Sequence, residues 1–305
     1  MFKHILIPLD GSRLAETVLP AGVHLAKILG SVVTLLHVIE RAAPQEVHGE
    51  RHLRDPGEAA EYLDEVASRV FPAGMHVERH VHSAEVDNVA RGIAMHVGEL
   101  APDLILMCTH GSGGLRGWMF GRIANQVVKF GTIPVLLVPP AVTETAPAFS
   151  CRRLLVTLDG DPEHEQGLRA ASSLAKICGA ELHLLMVVPT LGTLSGEQAA
   201  TAKMHPGATS VVLELAEQGA EAYLNRHVTA LQAEGFTVTA DVRRGDPATV
   251  IVNAAERAEA DLVVMGTHGK IGMDAFWAGS PTPNVTSRSG VPLLLVPVTG
   301  KISAT

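Results

Sequence analysis

The chain is poor in aromatic residues, cysteine and positive charge, and each shortage excludes something. Phe, Trp and Tyr make up only 4% of the 305 residues. The cores must therefore be built from Ala, Val, Leu and Ile, and no aromatic signature for stacking RNA bases is present. Lys and Arg number 24 against 32 Asp and Glu, a formal charge of -8, whereas a nucleic-acid-binding surface is normally basic. Cys108, Cys151 and Cys178 are widely spaced and odd in number, with no C-x2-C pair. They read as buried free thiols in a reducing compartment. No apolar run is long enough to span a bilayer. Met1-Phe2-Lys3-His4 leads straight into Ile5-Leu6-Ile7-Pro8-Leu9, without the apolar core and cleavage site of a signal peptide. A cytoplasmic protein is the expectation. Also missing are a G-x-S-x-G elbow, a P-loop lysine and a nucleophile beside a base, so enzyme chemistry has little support.

What remains is a globular composition, 47% apolar and 18% charged, long enough for about two domains. The chain repeats itself. Ile5–Gly11 matches Leu154–Gly160 at an offset of 149, which pairs Asp10 with Asp159, Leu29-Gly30 with Cys178-Gly179 and Val38 with Val187. From Ile93/Ile251 the offset is 158, through Asp103/Asp261, Gly111/Gly269, Gly121/Gly279 and Pro134/Pro292. Two constant offsets imply a duplication, with nine residues inserted between the second strand and third helix of the second copy. The Pro-rich stretch Pro139–Pro147 reads as the linker, which divides the chain into units at 1–140 and 150–300.

Each half alternates apolar strand-like runs with longer helical patterns. Strands are expected near 3–9, 32–39, 75–82, 103–108 and 134–138, and near 153–158, 181–188, 236–243, 261–266 and 292–296. Helices are expected near 13–29, 57–69, 85–98 and 121–130, then 163–177, 208–234, 247–259 and 282–289. Leu104–Met107 and Leu262–Met265 are apolar on both faces, as central parallel strands covered by helices would be. The pattern predicts two tandem α/β domains, each a doubly wound, Rossmann-like, five-stranded parallel sheet.

Directly after Leu262–Met265 comes a spacing of G-x2-G-x9-G-S: Gly266, Gly269, Gly279 and Ser280. Glycines after a buried strand let backbone N–H groups approach an anion, and a helix opening at Gly-Ser adds free donors and a dipole. The first copy repeats the pattern with Cys108 for Gly266 and Arg122 for Ser280, keeping Gly111 and Gly121. Together with Asp after the first strand and Gly245-Asp246-Pro247-Ala248 before the third helix, these motifs resemble the universal stress protein family over essentially the whole chain. Members with the intact motif are ATP or AMP binders of adenine-nucleotide-hydrolase-like fold, and many are dimers. A tandem member resembles a dimer fused into one chain.

The resemblance implies a competent second half. Gly266, His268, Gly269, Gly279 and Ser280 would surround the phosphates, Asp159 and the Val187 backbone would face the adenosine, and Thr157 and Leu158 would wall the base beside Met265. Lys270 would support the phosphates or stand in solvent. His268 would touch phosphate or only its own loop. Asp159 would face ligand, cap the following helix, or both. Pro281 removes one potential donor without destroying the helix. The first half, with Leu9, Asp10, Val38, Gly111, Gly121 and Arg122 at its corresponding site, is expected to be degenerate. Mg²⁺ would accompany a triphosphate.

Three further features stay open. His80 and His82 share one strand face and His48 and His52 lie four apart, spacings that suit Zn²⁺ as well as solvated histidines. Trp118-Met119-Phe120 and Phe276-Trp277 either pack the glycine loops down or form an interface. The functional expectation is a nucleotide-dependent stress-response switch with a protein partner, as a homodimer or an intramolecular pseudo-dimer; an interaction scaffold and a slow ATP hydrolase are the rivals.

Overall fold

The computed structural model describes residues 1–41, 43–47, 49–109, 121–140, 149–194, 196–268 and 281–298. The first half runs β1 (His4–Pro8), α1 (Arg13–Glu16), α2 (Leu19–Leu29), β2 (Val32–Glu40), a short hairpin β3 (Glu46–Val47) and β4 (Glu50–Arg51), α3 (Pro56–Val70), β5 (Val77–Val86), α4 (Val89–Leu100), β6 (Leu104–Cys108), α5 (Arg122–Phe130) and β7 (Val135–Val138). The second half runs β8 (Arg153–Leu158), a 3-10 turn (Pro162–His164), α6 (Gln166–Cys178), β9 (Glu181–Val188), α7 (Gly196–Met204), α8 (Pro206–Ala233), β10 (Val238–Arg244), α9 (Pro247–Arg257), β11 (Leu262–His268), α10 (Thr282–Arg288) and β12 (Leu293–Val298).

The duplication reaches down to the backbone. Ala101 and Glu259, equivalent by the 158 offset, both adopt left-handed φ, 48° and 46°. Gly11 and Gly160 sit at +89° and +88°, a conformation that favours glycine after the first strand of each copy. Asp103 accepts the backbone N–H groups of Lys3 and His4, as Asp261 accepts those of Arg152 and Arg153. Each carboxylate ties the start of a copy's first strand to the start of its fourth.

Within each half the five principal strands are parallel and lie in the order third, second, first, fourth, fifth, and the two halves share one ten-stranded sheet. The halves join where β7 pairs antiparallel with β12, with Leu136 opposite Leu294, Val135 opposite Leu295 and Leu137 opposite Leu293. Leu136 and Leu294 are themselves equivalent positions. The flanking pairs exchange partners across them, so a local two-fold axis passes through this pair, as in an isologous dimer. The expected pair of five-stranded sheets is thus one continuous sheet with an internal pseudo-dyad. One apolar cluster covers one face of it with residues of α2, α3, α6 and α8, and a second covers the other with α4, α5, α9 and α10.

Three elements differ from the expected ones. The helix near 13–29 is broken into α1 and α2, with Pro20 in the first turn of α2. The nine-residue insertion is absorbed by α7 and by α8, which has 28 residues against 15 in α3. The 41–56 stretch, where no strand or helix is expected, carries the β3–β4 hairpin.

His80 and His82 on β5 pack their rings against His96 of α4, at centroid distances of 4.6 and 4.9 Å. His96 Nδ1 meets the Glu99 carboxylate at 2.8 Å. Among the described residues no group of three metal-ligating side chains is placed to hold an ion; His48 lies outside them. Burial, and next the adjacent His80, hold the His96 pKa below its ordinary value. The unfolded chain protonates histidine at about pH 6.5. The stability due to neutral His96 is therefore complete above that pH and is lost as pH falls towards the depressed folded value.

Urea unfolding should show a lower midpoint at acidic than at neutral pH, and His96→Phe should flatten part of that slope. At the pseudo-dyad, Leu294 is buried, and Leu294→Ala should cost about 2–5 kcal/mol in urea unfolding.

Candidate functional site

Strand register gathers the residues picked out in the second half. Thr157 pairs with Leu185 on one side and Met265 on the other, and Leu158 pairs with Met186. Asp159, the first residue beyond β8, therefore stands level with Val187, the penultimate residue of β9, at the carboxyl ends of adjacent strands, where open α/β sheets bind ligands. Alternation along the strands places Thr157, Val187 and Met265 towards the cluster beneath α9 and α10. Leu158 is buried on the opposite face with Met186 and Val188, so its side chain does not wall a pocket shared with Thr157.

Asp159 is half exposed and accepts hydrogen bonds from Asp161 N at 3.0 Å and His164 Nδ1 at 2.5 Å. The capping side chain of the 3-10 turn is Asp161, which accepts from Glu163 N. The aspartate after the first strand thus shapes the turn while its neighbour caps it. Beside this corner Glu165 accepts from Tyr223 Oη at 2.7 Å and lies 3.1 Å from His227 Nε2. Burial, and then the Glu165 carboxylate, raise the Tyr223 pKa, so the phenol stays a donor. His164, Glu165, Tyr223 and His227 escaped sequence reasoning. Only the five-residue step from Asp159 to His164 hinted at a pair.

Gly266 lies within β11, opposite Val296. A Cβ there would meet the His164 carbonyl oxygen at 3.2 Å and Val298 Cγ2 at 3.3 Å, while a Cβ on Gly167 of α6 would meet Gly266 N at 3.2 Å. Strand and helix come together backbone to backbone, which accounts for glycine at both positions.

The Gly245–Ala248 motif is also built from backbone needs. Gly245 has φ +147° and donates its N–H to Val188 O at 3.1 Å, closing β9 against β10. Asp246 caps α9, accepting from Thr249 N and Oγ1, and those bonds hold its carboxyl below the ordinary aspartate pKa.

β11 runs to His268. Gly269, Lys270, Gly279 and Ser280 lie outside the described residues, as do Gly111 and the Trp118–Phe120 and Phe276-Trp277 segments. Pro281 stands at the N-cap of α10, accepting Val285 N at 2.9 Å, so the helix survives both Pro281 and Pro283. Neither proline carries an N–H, which leaves Thr282 and Asn284 as the donors of that first turn.

The corresponding corner of the first half is covered. Leu53 lies 2.8 Å from where a Cβ on Gly11 would stand. His37 lies between the carbonyls of Leu9, 2.8 Å from Nδ1, and Leu53, 3.2 Å from Nε2; burial lowers its pKa, and the neutral ring donates to one of the two. Glu50 of the hairpin accepts Arg13 N at 2.6 Å. Asp10 accepts the N–H and hydroxyl of Ser12. Val38 is buried against Gly92 of α4. Cys108, in place of Gly266, accepts from Thr17 Oγ1 at 3.6 Å. Gly121 donates its N–H to Thr109 O, and Arg122 opens α5 facing solvent.

The model of the universal stress protein family matches residues 1–139 and again 150–297. The chain belongs to that family. A universal stress protein E homolog from Haemophilus influenzae is 25% identical over 96% of this chain and 96% of its own length. A universal stress protein from Synechocystis is 35% identical over 46% of this chain and 87% of its own. A crystal structure of a universal stress protein from Archaeoglobus fulgidus covers 97% of this chain and 99% of its own, with a TM-score of 0.69 at 21% identity, a likeness of fold. The tandem arrangement and the α/β Rossmann-like fold are thereby established. Among the described residues, no helix is long and apolar enough to cross a membrane.

Gly266→Ala forces its new methyl against the His164 carbonyl and Val298. Overpacking of this kind costs about 1–3 kcal/mol, which should appear as a lower urea midpoint. Gly219→Ala on α8, where nothing stands within 4 Å, should not destabilise.

Proposed function

We propose that this tandem universal stress protein binds ATP or another adenine nucleotide at the second-half corner and works as a nucleotide-dependent regulatory switch. The observation that carries the reading is the contrast between copies. Asp159 stands half exposed at the strand ends, while Leu53 and the β3–β4 hairpin close over the matching Asp10 corner. A carboxylate at this place suits ribose hydroxyls, which are donors. Thr157 and Val187 lie on one side of the sheet to receive the base. Gly269, Gly279, Ser280 and His268 are assigned to the phosphates, with Lys270 supporting and Mg²⁺ accompanying a triphosphate. The two prolines thin the donor set of α10, so the nucleoside end supplies the greater share of affinity. The Leu9, Asp10, Val38, Gly111, Gly121 and Arg122 site is left without nucleotide.

A ligand shifts a conformational equilibrium only through different affinity for the two states. Here a ribose hydroxyl competes with His164 for Asp159, so occupancy is coupled to the 3-10 turn that leads into α6. From β11 the coupling has a short route through β12 to β7 of the other half.

A second reading, an interaction scaffold without ligand, is favoured by the same His164–Asp159 pairing, which already satisfies the carboxylate. Mass spectrometry of nucleotide released from freshly purified, denatured protein separates the two. Close to one adenine nucleotide per chain is expected. Asp159→Ala and Gly269→Ala should each weaken binding at least about tenfold, roughly 1.4 kcal/mol. Protein that is purified empty and fails to bind added ATP with Mg²⁺ would contradict the switch and leave the scaffold.

A further inference from the structure

The three thiols are far apart in sequence, yet two of them meet in the fold. Glu181 N donates to Arg152 O at 2.8 Å, which brings the residue before β8 against the end of α6. Gly179, in left-handed conformation at φ 64°, turns the chain there. In the first copy the same arrangement holds Phe2 and Leu29, with Val32 N donating to Lys3 O at 2.9 Å. Phe2 and Leu29 are buried in one apolar cluster, and the 149 offset converts them into Cys151 and Cys178. Cys151 is buried in that cluster, Cys178 is half buried at its rim, and the two thiols are hydrogen-bonded to each other. Both are free cysteines.

We infer that Cys151 and Cys178 are a reversible oxidation site, closing to a disulfide when the protein meets a hydroperoxide. Cys178 is the thiol that reacts first, because it reaches the surface and because the Cys151 S–H donates to its sulfur and lowers its pKa. Its place at the carboxyl end of α6 opposes that effect, so the reaction calls for a strong oxidant. The Cys178 thiolate attacks the peroxide O–O bond, becoming a sulfenic acid and releasing an alcohol, or water when the oxidant is hydrogen peroxide. The Cys151 sulfur then attacks the sulfenic sulfur. The S–S bond forms, the S–O bond breaks, and the oxygen leaves as water with the Cys151 proton. Two thiols have given two electrons to one peroxide.

The bridge would tie the start of β8, where the linker arrives, to the end of α6. The closed loop contains Thr157, Asp159 and His164, so oxidation fastens the corner assigned above to the adenosine. The disulfide itself does not depend on that assignment.

The test treats the full chain with hydrogen peroxide, blocks remaining thiols with an alkylating reagent and maps peptides by mass spectrometry. The expected product is a Cys151–Cys178 cross-linked peptide, about 2 Da lighter than the two reduced peptides together, reversed by dithiothreitol. It should be absent in Cys151→Ser and in Cys178→Ser but retained in Cys108→Ser. Circular dichroism of each variant shows whether it is folded, and the wild-type map stands even if a variant is not. Alkylation of both thiols after peroxide, over-oxidation of Cys178 with Cys151 still alkylated, or a cross-link to Cys108 would each overturn the inference.

Discussion

The fold depends on one antiparallel strand pair. β7 and β12 meet at Leu136 and Leu294, and this short ladder turns two duplicated halves into one sheet. Each strand would otherwise be the bare edge of a five-stranded sheet, presenting unpaired N–H and C=O groups. Pairing closes both edges, and the pseudo-dyad makes the contact self-complementary. The apolar clusters on the two faces run across the junction, so the two halves share their cores. A tandem chain fixes this partnership covalently, where separate copies would need concentration to form it.

Covalent pairing also frees one copy to diverge. Backbone devices are kept in both copies: the positive-φ glycine after the first strand, the aspartate tying first strand to fourth, and the left-handed residue before the fourth strand. What has changed is what lies over the strand ends. In the first copy Cys108 takes the Gly266 position, Leu53 packs on Gly11 and the β3–β4 hairpin settles on α1 through Glu50 and Arg13. In the second copy the corresponding chain continues into α7 and the long α8, and Asp159 stays within reach of solvent. The same scaffold thus carries a closed corner and an open one. This difference, more than the glycine spacing alone, supports placing a ligand in the second half.

Much of this could be read before any coordinates. The two offsets located equivalent residues correctly, and both-face apolar runs such as Leu104–Met107 identified central strands because helices cover each side of them. The junction could not be read. β7 and β12 are apolar throughout, so no alternation of polar and apolar side chains specifies which strand pairs with which, or in what register. The hairpin was missed because its strands are two residues each and charged. Leu158 and Thr157 were grouped as neighbours in sequence, although successive strand residues face opposite sides of the sheet. His164 reaches Asp159 within one local turn, but Tyr223 and His227 lie a turn apart on α8, and only tertiary packing brings that helix to Glu165. Cys151 and Cys178 looked unrelated by spacing, but the 149 offset superimposes them on Phe2 and Leu29, two residues buried in one apolar cluster.

Photoaffinity labelling with 8-azido-ATP, followed by peptide mapping with and without excess ATP, tests the asymmetry between copies most directly. The account predicts ATP-protected label on second-half peptides carrying Thr157–Asp159 or Val187. Protected label on the Leu9-Asp10 or Val38 peptides, or no label that ATP displaces, would contradict it.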